Sequence, residues 1–264
     1  MNLTKLFDRK PYKIGIALSG GGIKGMCHAG VLKALEEYGI KPDIISGVSA
    51  GAVVGVLYSD GYSPDEIAKL FEDISFRNMT KIHIPNGGFF RIDTFQEFLY
   101  QRLTAKTFEE LNIPLRVVAT DLDKGRSVTF TSGALIDPVV ASCSIPVLFS
   151  PKVINGVHYV DGGVLKNFPV STIRSECKKL IGINACPLVA DVFKPTILNV
   201  AARSYNFMFK ANSIHDKELC DLLIEPIDLG NYEIYNIDKG REIFELGYRS
   251  TLQMLASKLN TKIV

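Results

Sequence analysis

The segment from Ile14 to Gly51 constrains the fold of this chain more than any other part of it. Two apolar runs, Lys13–Leu18 and Asp43–Ser46, are each followed by glycine-rich sequence and then by helical sequence. The first glycine-rich stretch reads Ser19-Gly-Gly-Gly-Ile-Lys-Gly25 and the second Gly47-Val-Ser-Ala-Gly51. Because glycine has no Cβ, a strand can turn abruptly into a helix there. The order predicts that the hydroxyl of Ser49 lies near a loop rich in backbone N–H donors.

Strand and helix signals alternate along most of the chain, which favours an α/β fold with a mainly parallel sheet covered on both faces. Ser63-Pro-Asp-Glu66 has the pattern of a capping box, and Asp93 and Thr107 begin two further helix-start patterns. Asn155-Gly156 lies in the middle of Lys152–Val160, which indicates a hairpin. Other predicted strands are Pro114–Thr120, Ser127–Thr131, Lys179–Ala185 and Leu219–Glu225, and other predicted helices are Lys24–Tyr38, Ala50–Ser59, Ile197–Ile214 and Lys239–Lys258. No linker-like stretch divides residues 1–264, so we expect a single domain.

Composition excludes several classes of function. A net charge of +2 without a basic stripe makes nucleic acid an unexpected partner. The N-terminal residues lack the apolar core of a signal peptide, and we find no apolar run of the roughly 20 residues that a membrane-spanning helix needs. Five cysteines at scattered spacings are typical of reduced thiols in a cytoplasmic protein.

Gly47-Val-Ser-Ala-Gly51 fits the GxSxG nucleophile elbow. In this motif the flanking glycines, Gly47 and Gly51, allow the sharp turn and the close packing of the next helix. Ser49 is therefore the candidate nucleophile. The positive end of the following helix would help to stabilise an oxyanion that forms beside it.

The glycine loop, Gly20-Gly-Gly-Ile-Lys-Gly25, allows more than one interpretation. It also fits GxGxxG, but a dinucleotide site needs an acidic residue at the end of the next strand, and Asp43 lies at its beginning. A phosphate-binding P-loop would need Ser or Thr after Lys24, where this chain has Gly25. An oxyanion hole built from consecutive N–H groups, with Lys24 as a nearby cation, suits these residues better.

Asp161-Gly-Gly163 supplies a carboxylate at a predicted strand end, followed by two glycines that permit close backbone approach. If Asp161 lies within hydrogen-bond reach of Ser49, it can act as a general base. None of the four histidines, at 28, 83, 158 and 215, stands where a serine triad would require it. The sequence therefore predicts a Ser–Asp dyad. Burial would have to raise the pKa of the aspartate from about 3.9 for it to serve as a base.

These three motifs together resemble the patatin-like phospholipase family. Ala141-Ser-Cys-Ser-Ile-Pro-Val-Leu-Phe-Ser-Pro151 also looks like the segment that joins the serine and aspartate motifs in that family. The resemblance covers about residues 13–185. It departs at Lys24, where arginine is more frequent, and at Gly163, where alanine is common.

The resemblance implies a three-layer α/β/α sandwich and hydrolysis of lipid acyl esters without a metal or a cofactor. Carried over, Ser49 is the nucleophile and Asp161 the base. Gly20, Gly21, Gly22, Lys24 and Gly25 form the oxyanion hole, and the motif glycines are Gly47, Gly51, Gly162 and Gly163.

Lipid or another acyl ester is the expected substrate, and a peripheral contact with the inner face of a membrane stays open. Asn86-Gly-Gly-Phe-Phe90 and Tyr205-Asn-Phe-Met-Phe209 are candidates for lining an acyl slot or for touching a membrane, unless they simply pack in the core. Two alternatives also stay open: the same dyad could pass the acyl group to another acceptor or cleave thioesters, or the chain could be a catalytically silent lipid-binding protein. Headgroup preference and oligomeric state are not legible in the sequence.

Overall fold

The two glycine-rich stretches connect strands to helices in the predicted order. β1 (Tyr12–Leu18) ends before the glycine loop, and α1 (Met26–Glu37) follows a 3-10 turn at Gly22–Gly25. β2 (Ile44–Val48) is buried along its whole length, and α2 (Ala50–Asp60) begins directly after Ser49. The computed structural model describes residues 10–73, 81–82, 88–91, 93–187, 189, 196–234 and 237–260.

The remaining elements within these ranges alternate between strand and helix. The further helices are α3 (Pro64–Asp73), α4 (Asp93–Arg102), α5 (Ile136–Ser142), α6 (Gly163–Lys166), α7 (Ile197–Glu218) and α8 (Gly240–Asn260). The further strands are β3 (Lys81–Ile82), β4 (Gly88–Arg91), β5 (Leu115–Asp121), β6 (Arg126–Phe130), β7 (Val147–Phe149), β8 (Lys152–Ile154), β9 (Val157–Asp161), β10 (Cys177–Ile183) and β11 (Leu222–Ile224).

Eight of these strands form one mixed sheet in the order β11-β10-β1-β2-β5-β9-β8, with β6 paired to β5. The pairs from β11 through β5 are parallel, whereas β6, β9 and β8 join by antiparallel pairing. The antiparallel part includes the β8–β9 hairpin that Asn155-Gly156 predicted. Asn155 and Gly156 have φ values of 51° and 80°, as a tight hairpin turn requires. A separate three-stranded sheet has the order β3-β4-β7.

Helices cover both faces of the large sheet. Ile16 and Leu18 of β1 pack in one cluster with residues of α1, α2, α3 and α8. The intervening Ala17 packs in a second cluster with Phe168 and Ile173. Because successive side chains of a strand point to opposite faces, the two clusters lie on opposite sides of the sheet. The α/β fold with three α/β/α layers is therefore confirmed.

Local signals predicted most elements to within a few residues. The Ser63 capping box is present, with the Ser63 N–H donating to Glu66 at 2.8 Å and the Glu66 N–H donating to the Ser63 hydroxyl at 3.3 Å. Thr107 also forms a capping box, but only a 3-10 turn at Phe108–Glu110 follows instead of the predicted helix. Among the described helices, none is long and apolar enough to cross a bilayer.

Candidate active site

Ser49 occupies a sharp turn between β2 and α2. Its backbone has φ 50° and ψ −123°, a conformation that residues with a side chain rarely adopt. The motif glycines make the turn possible, since a Cβ on Gly47 would lie 2.5 Å from the carbonyl oxygen of Gly51, and one on Gly51 would overlap the carbonyl of Leu18. The strained serine is held by close packing of the backbone around it.

Asp161 is the last residue of β9 and is almost fully buried. Its carboxylate accepts a hydrogen bond at 2.7 Å from the N–H of Gly163, and the Ser49 hydroxyl lies close enough to act on its pKa. Burial raises the pKa of Asp161 to about 6, and the Ser49 hydroxyl and the Gly163 N–H act against this rise. The structure thus brings together the two side chains that the motifs suggested, residues that are far apart in the sequence.

β5 aligns the two groups. Its Val118 lies opposite Val48, the residue before the serine, and its next residue, Ala119, lies opposite Asp161. Ser142 adds a link, because the Ser49 N–H donates to its hydroxyl at 2.8 Å and that hydroxyl donates to the Val118 carbonyl at 2.6 Å. Sequence reasoning assigned no role to Ser142, although it lies in the segment that resembles the family.

The glycine loop presents two free backbone donors near this turn. Within the described residues, the N–H groups of Gly21 and Gly22 have no hydrogen-bond partner. The prediction that Gly20 also donates is corrected, because its N–H donates to the Asn167 carbonyl at 3.0 Å. Gly20 instead permits close approach, since a Cβ there would lie 3.3 Å from the Cβ of Ser49.

Gly25 and the two glycines after Asp161 have similar packing roles. A Cβ on Gly25 would lie 2.5 Å from the Cβ of Ala50, so this position holds the loop against the start of α2. A Cβ on Gly162 would overlap the Val118 carbonyl, and one on Gly163 would lie 3.0 Å from the Asp161 carboxylate. Alanine at these positions would move the loop or the aspartate.

Lys24 is buried in the glycine loop, with only 8% of its surface exposed. Its ammonium makes no hydrogen bond or ion pair within the part of the chain that the structure describes, and so none with Ser49 or Asp161. It lines a small pocket together with Cys186 and Arg203. The stabilisation of an oxyanion by the charge of Lys24 stays a prediction.

Two buried polar side chains near the dyad were not foreseen from the sequence. The Asn167 carboxamide is packed between Gly20 and Gly163, since a Cβ on either glycine would lie within 3 Å of its oxygen. It also lies near the Cys186 thiol. Neither of its polar atoms has a partner of ordinary hydrogen-bond geometry. The Tyr205 hydroxyl is also buried without a partner, and burial together with the nearby Asp161 charge raises its pKa. Asn167 lies four residues after Gly163 and its nearness to the motif could have drawn attention, whereas Tyr205 was noted only as part of an apolar segment and not for its hydroxyl.

The described histidines are engaged elsewhere. The Nε2 of His28 lies 2.8 Å from the Ser19 carbonyl, and burial lowers the pKa of His28 to about 4. His158 contacts Asp123 at 3.1 Å, and His215 is exposed. His83 lies outside the described residues. Within those residues, no group of three or more His, Cys, Asp or Glu side chains could hold a metal ion.

The two predicted apolar segments differ in what the structure describes. In Tyr205–Phe209, Phe209 is buried and packs edge-on against Tyr205, with 4.6 Å between the two ring centroids. Its ring also lies next to Gly163, so this part of the segment is beside the aspartate motif. Phe207 and Met208 are exposed. Asn86 and Gly87 lie outside the described residues, while the rest of that segment belongs to β4.

Comparison with known proteins assigns the family. A family model described as patatin-like phospholipase matches residues 16–173, a stretch that contains all three motifs. The chain belongs to the patatin-like phospholipase family. The resemblance noted in the sequence is therefore confirmed at the level of the family.

Relatives in this family include proteins that differ widely in length. An uncharacterized NTE family protein of Mycobacterium tuberculosis is 34% identical over 205 residues, which are 76% of this chain and 57% of that protein. YqhO, an uncharacterized protein of Bacillus subtilis, is 31% identical over 276 residues, covering 88% of this chain and 94% of the relative. Human patatin-like phospholipase domain-containing protein 6 is 30% identical over 179 residues, 64% of this chain but 13% of the human protein.

Among solved structures, VipD from Legionella pneumophila shares the fold, with a TM-score of 0.60 and 17% identity over 93% of this chain and 67% of VipD. This chain spans little more than half the length of the mycobacterial relatives.

Proposed function

We propose that this protein is a serine-dependent lipid acyl hydrolase of the phospholipase A, lysophospholipase or esterase type. One observation carries the proposal: Ser49, on a strained turn, lies close enough to the buried carboxylate of Asp161 for its hydroxyl to lower the pKa of that group. Membership of the patatin-like phospholipase family supports the choice of lipid esters as the substrate class.

In the proposed reaction, Ser49 Oγ attacks the acyl carbonyl carbon while its proton passes to Asp161. The tetrahedral intermediate then collapses, and the departing alcohol takes the proton from Asp161. Water attacks the acyl-enzyme, gives a proton to Asp161, and the carboxylic acid leaves as Ser49 regains its hydrogen. A carboxylate whose pKa is raised to about 6 is a better base for this transfer than an exposed aspartate.

The free N–H groups of Gly21 and Gly22 are the proposed oxyanion donors. One such donor is typically worth about 10²- to 10³-fold in rate, because it meets charge that develops in the transition state. The first amides of α2 point their positive end toward the same serine and add to this stabilisation. These donors compensate for the absence of a histidine beside Ser49 among the residues that the structure describes.

A fluorophosphonate probe tests the proposal. We expect the probe to label wild-type protein and to leave Ser49→Ala unlabelled. We also expect Asp161→Asn to lower ester turnover by at least about 10³-fold while the protein stays folded, because removal of the base leaves only the oxyanion donors.

Lack of labelling in folded wild-type protein, beside a control hydrolase that reacts, would favour the catalytically silent lipid-binding alternative. Turnover that persists in Asp161→Asn would assign the base to another group. Mass analysis of products with an alcohol or thiol acceptor present separates hydrolysis from acyl transfer.

A further inference from the structure

A small pocket adjoins the glycine loop and has a mostly polar lining. Lys24 forms part of the wall, as does Cys186, whose thiol donates to the Gly20 carbonyl at 3.3 Å. On the opposite side α7 contributes Arg203 and Asn206, and Tyr232 and Glu233 complete the rim. The pocket is thus a direct neighbour of the loop that carries the free N–H donors, but its lining does not suit an acyl chain.

Lys24 is the unusual group in this pocket. Only 8% of the residue is exposed, and within the described residues its ammonium has neither a hydrogen bond nor an ion pair. The nitrogen is not one of the fully enclosed polar atoms, so the side chain is packed along its length while the ammonium keeps contact with solvent. Its charge is felt at the Cys186 thiol, where it opposes the burial that raises the pKa of Cys186 to about 11. The ammonium therefore lies toward the pocket side of the loop.

The charges of the described lining residues favour an anion. Lys24 and Arg203 are the two cations among them, with Arg203 also stacked on the Phe207 ring, and Glu233, which is exposed, is the one anion. The Tyr232 hydroxyl is not available to bind an anion, because it donates to Glu242 at 2.6 Å. An ammonium can donate three hydrogen bonds, and phosphate oxygens are among its preferred acceptors.

We propose that this pocket is a subsite for the phosphate group of a lipid headgroup, with Lys24 as its principal cation and Arg203 as the second. The assignment rests on the proposed acyl hydrolysis and extends it. In a glycerophospholipid only a few covalent bonds separate the ester carbonyl from the phosphate, so a carbonyl at the Gly21 and Gly22 amides places the phosphate within reach of the neighbouring pocket. This gives Lys24 a role on the substrate rather than on the oxyanion.

Paired substrates with the same short acyl chain, a lysophospholipid and a monoacylglycerol, test the proposal below their critical micelle concentrations. The quantity compared is the ratio of kcat/KM for the lysophospholipid to kcat/KM for the monoacylglycerol. We expect Lys24→Gln to lower this ratio about 10- to 100-fold, the range typical of a lost hydrogen bond to a charged group. Arg203→Gln lowers it less, and Lys24→Arg keeps it within about 3-fold because the charge is retained.

Lys210→Gln is the matched control, because Lys210 is an exposed lysine of α7 that does not line the pocket. The ratio of the two kcat/KM values for this variant should stay within about 2-fold of the wild-type ratio. An unchanged ratio in both Lys24→Gln and Arg203→Gln would overturn the subsite, even if both variants lost activity on the two substrates equally. Stabilisation of wild type by inorganic phosphate with an unchanged ratio would assign the pocket to the free anion and overturn the headgroup assignment. Loss of all turnover in wild type would instead contradict the proposed hydrolysis, which the monoacylglycerol reports independently of the phosphate.

Discussion

At the scale of single residues, Asp161 shows how burial turns an ordinary carboxylate into a candidate base. The group is enclosed by β5, β9 and the glycines that follow it, and the hydrogen bond from the Gly163 N–H offsets part of its desolvation. Its pKa stays raised, at about 6, because burial outweighs the opposing effects of the Gly163 N–H and the Ser49 hydroxyl. A base of this kind is ionised at neutral pH and protonated in mild acid.

The raised pKa predicts how activity and stability change with pH. We expect kcat/KM to rise with pH through about 6 and then to level off. A folded-state pKa above the unfolded value of 3.8 means that the protonated group stabilises the fold below pH 3.8 and that this stabilisation is lost by about pH 6. The free energy of unfolding of Asp161→Asn should therefore match that of wild type near pH 4. At pH 8 the variant should be the more stable protein, and the difference in free energy of unfolding should be on the order of 3 kcal/mol at most.

Thermal unfolding of both proteins from pH 4 to pH 8 measures the difference. Asp221→Asn is a control of opposite sign, because the Arg174 guanidinium and the Leu180 N–H outweigh burial and hold the pKa of Asp221 below its usual value. That variant should lose stability relative to wild type at pH 8 and recover it as the pH falls. A wild type that stays more stable than Asp161→Asn at pH 8 would contradict the burial argument.

At the scale of elements, α8 closes the fold by packing on α1 through glycines. A Cβ on Gly247 would lie 2.5 Å from the Cys27 carbonyl oxygen, and one on Gly30 would overlap the Phe244 carbonyl. The two backbones are therefore closer than a pair of helices with ordinary side chains would allow. This packing buries Ile243 and Phe244 against the core beneath the site.

Gly247→Ala tests this contact. Alanine favours a helix over glycine by about 1 kcal/mol, but here the methyl group must push two backbones apart, so we expect a net loss of about 1–3 kcal/mol in the free energy of unfolding. Gly240→Ala in the same helix is the control, because a Cβ there would meet only ordinary contacts at 3.5 Å or more. Thermal unfolding should show a lower Tm for the first variant only; equal Tm values would mean that α8 shifts without strain.

At the scale of the whole molecule, the sheet extends past the part that the family model matches. The match ends at residue 173, whereas β10 pairs with β1 from Tyr12 to Leu18 and α8 covers α1. The central strand of the parallel region therefore needs a partner strand that lies beyond the matched part. We expect residues 1–264 to unfold as one unit.

A chain that ends at Ile173 tests this expectation. Without β10, β11, α7 and α8, one edge of β1 and the outer side of α1 lose their partners, so we expect no cooperative thermal transition by circular dichroism. A sharp transition with native-like secondary structure would show that the first 173 residues fold alone and would contradict the single-domain prediction. The full-length chain under the same conditions is the control.

Much of this architecture could be predicted from local sequence. Alternating apolar residues, the Ser63 capping box and the Asn155-Gly156 turn act over a few neighbouring residues, and each produced the predicted element. Thr107 is an exception, since its capping box was recognised but the chain becomes extended at Leu111, after a single 3-10 turn. The glycine motifs likewise indicated Ser49 and Asp161 because each motif is contained in a short stretch.

The sequence by itself determined the strand, helix and turn signals, the family, and the candidate nucleophile and base. Only the tertiary structure decided that Val118 and Ala119 align the two groups, that the Gly20 amide is already bonded, and that Lys24 faces a polar pocket instead of an ion-pair partner. The physical reason is range: backbone preferences act over a few neighbouring residues, whereas burial and hydrogen-bond partners depend on residues brought together from distant parts of the chain.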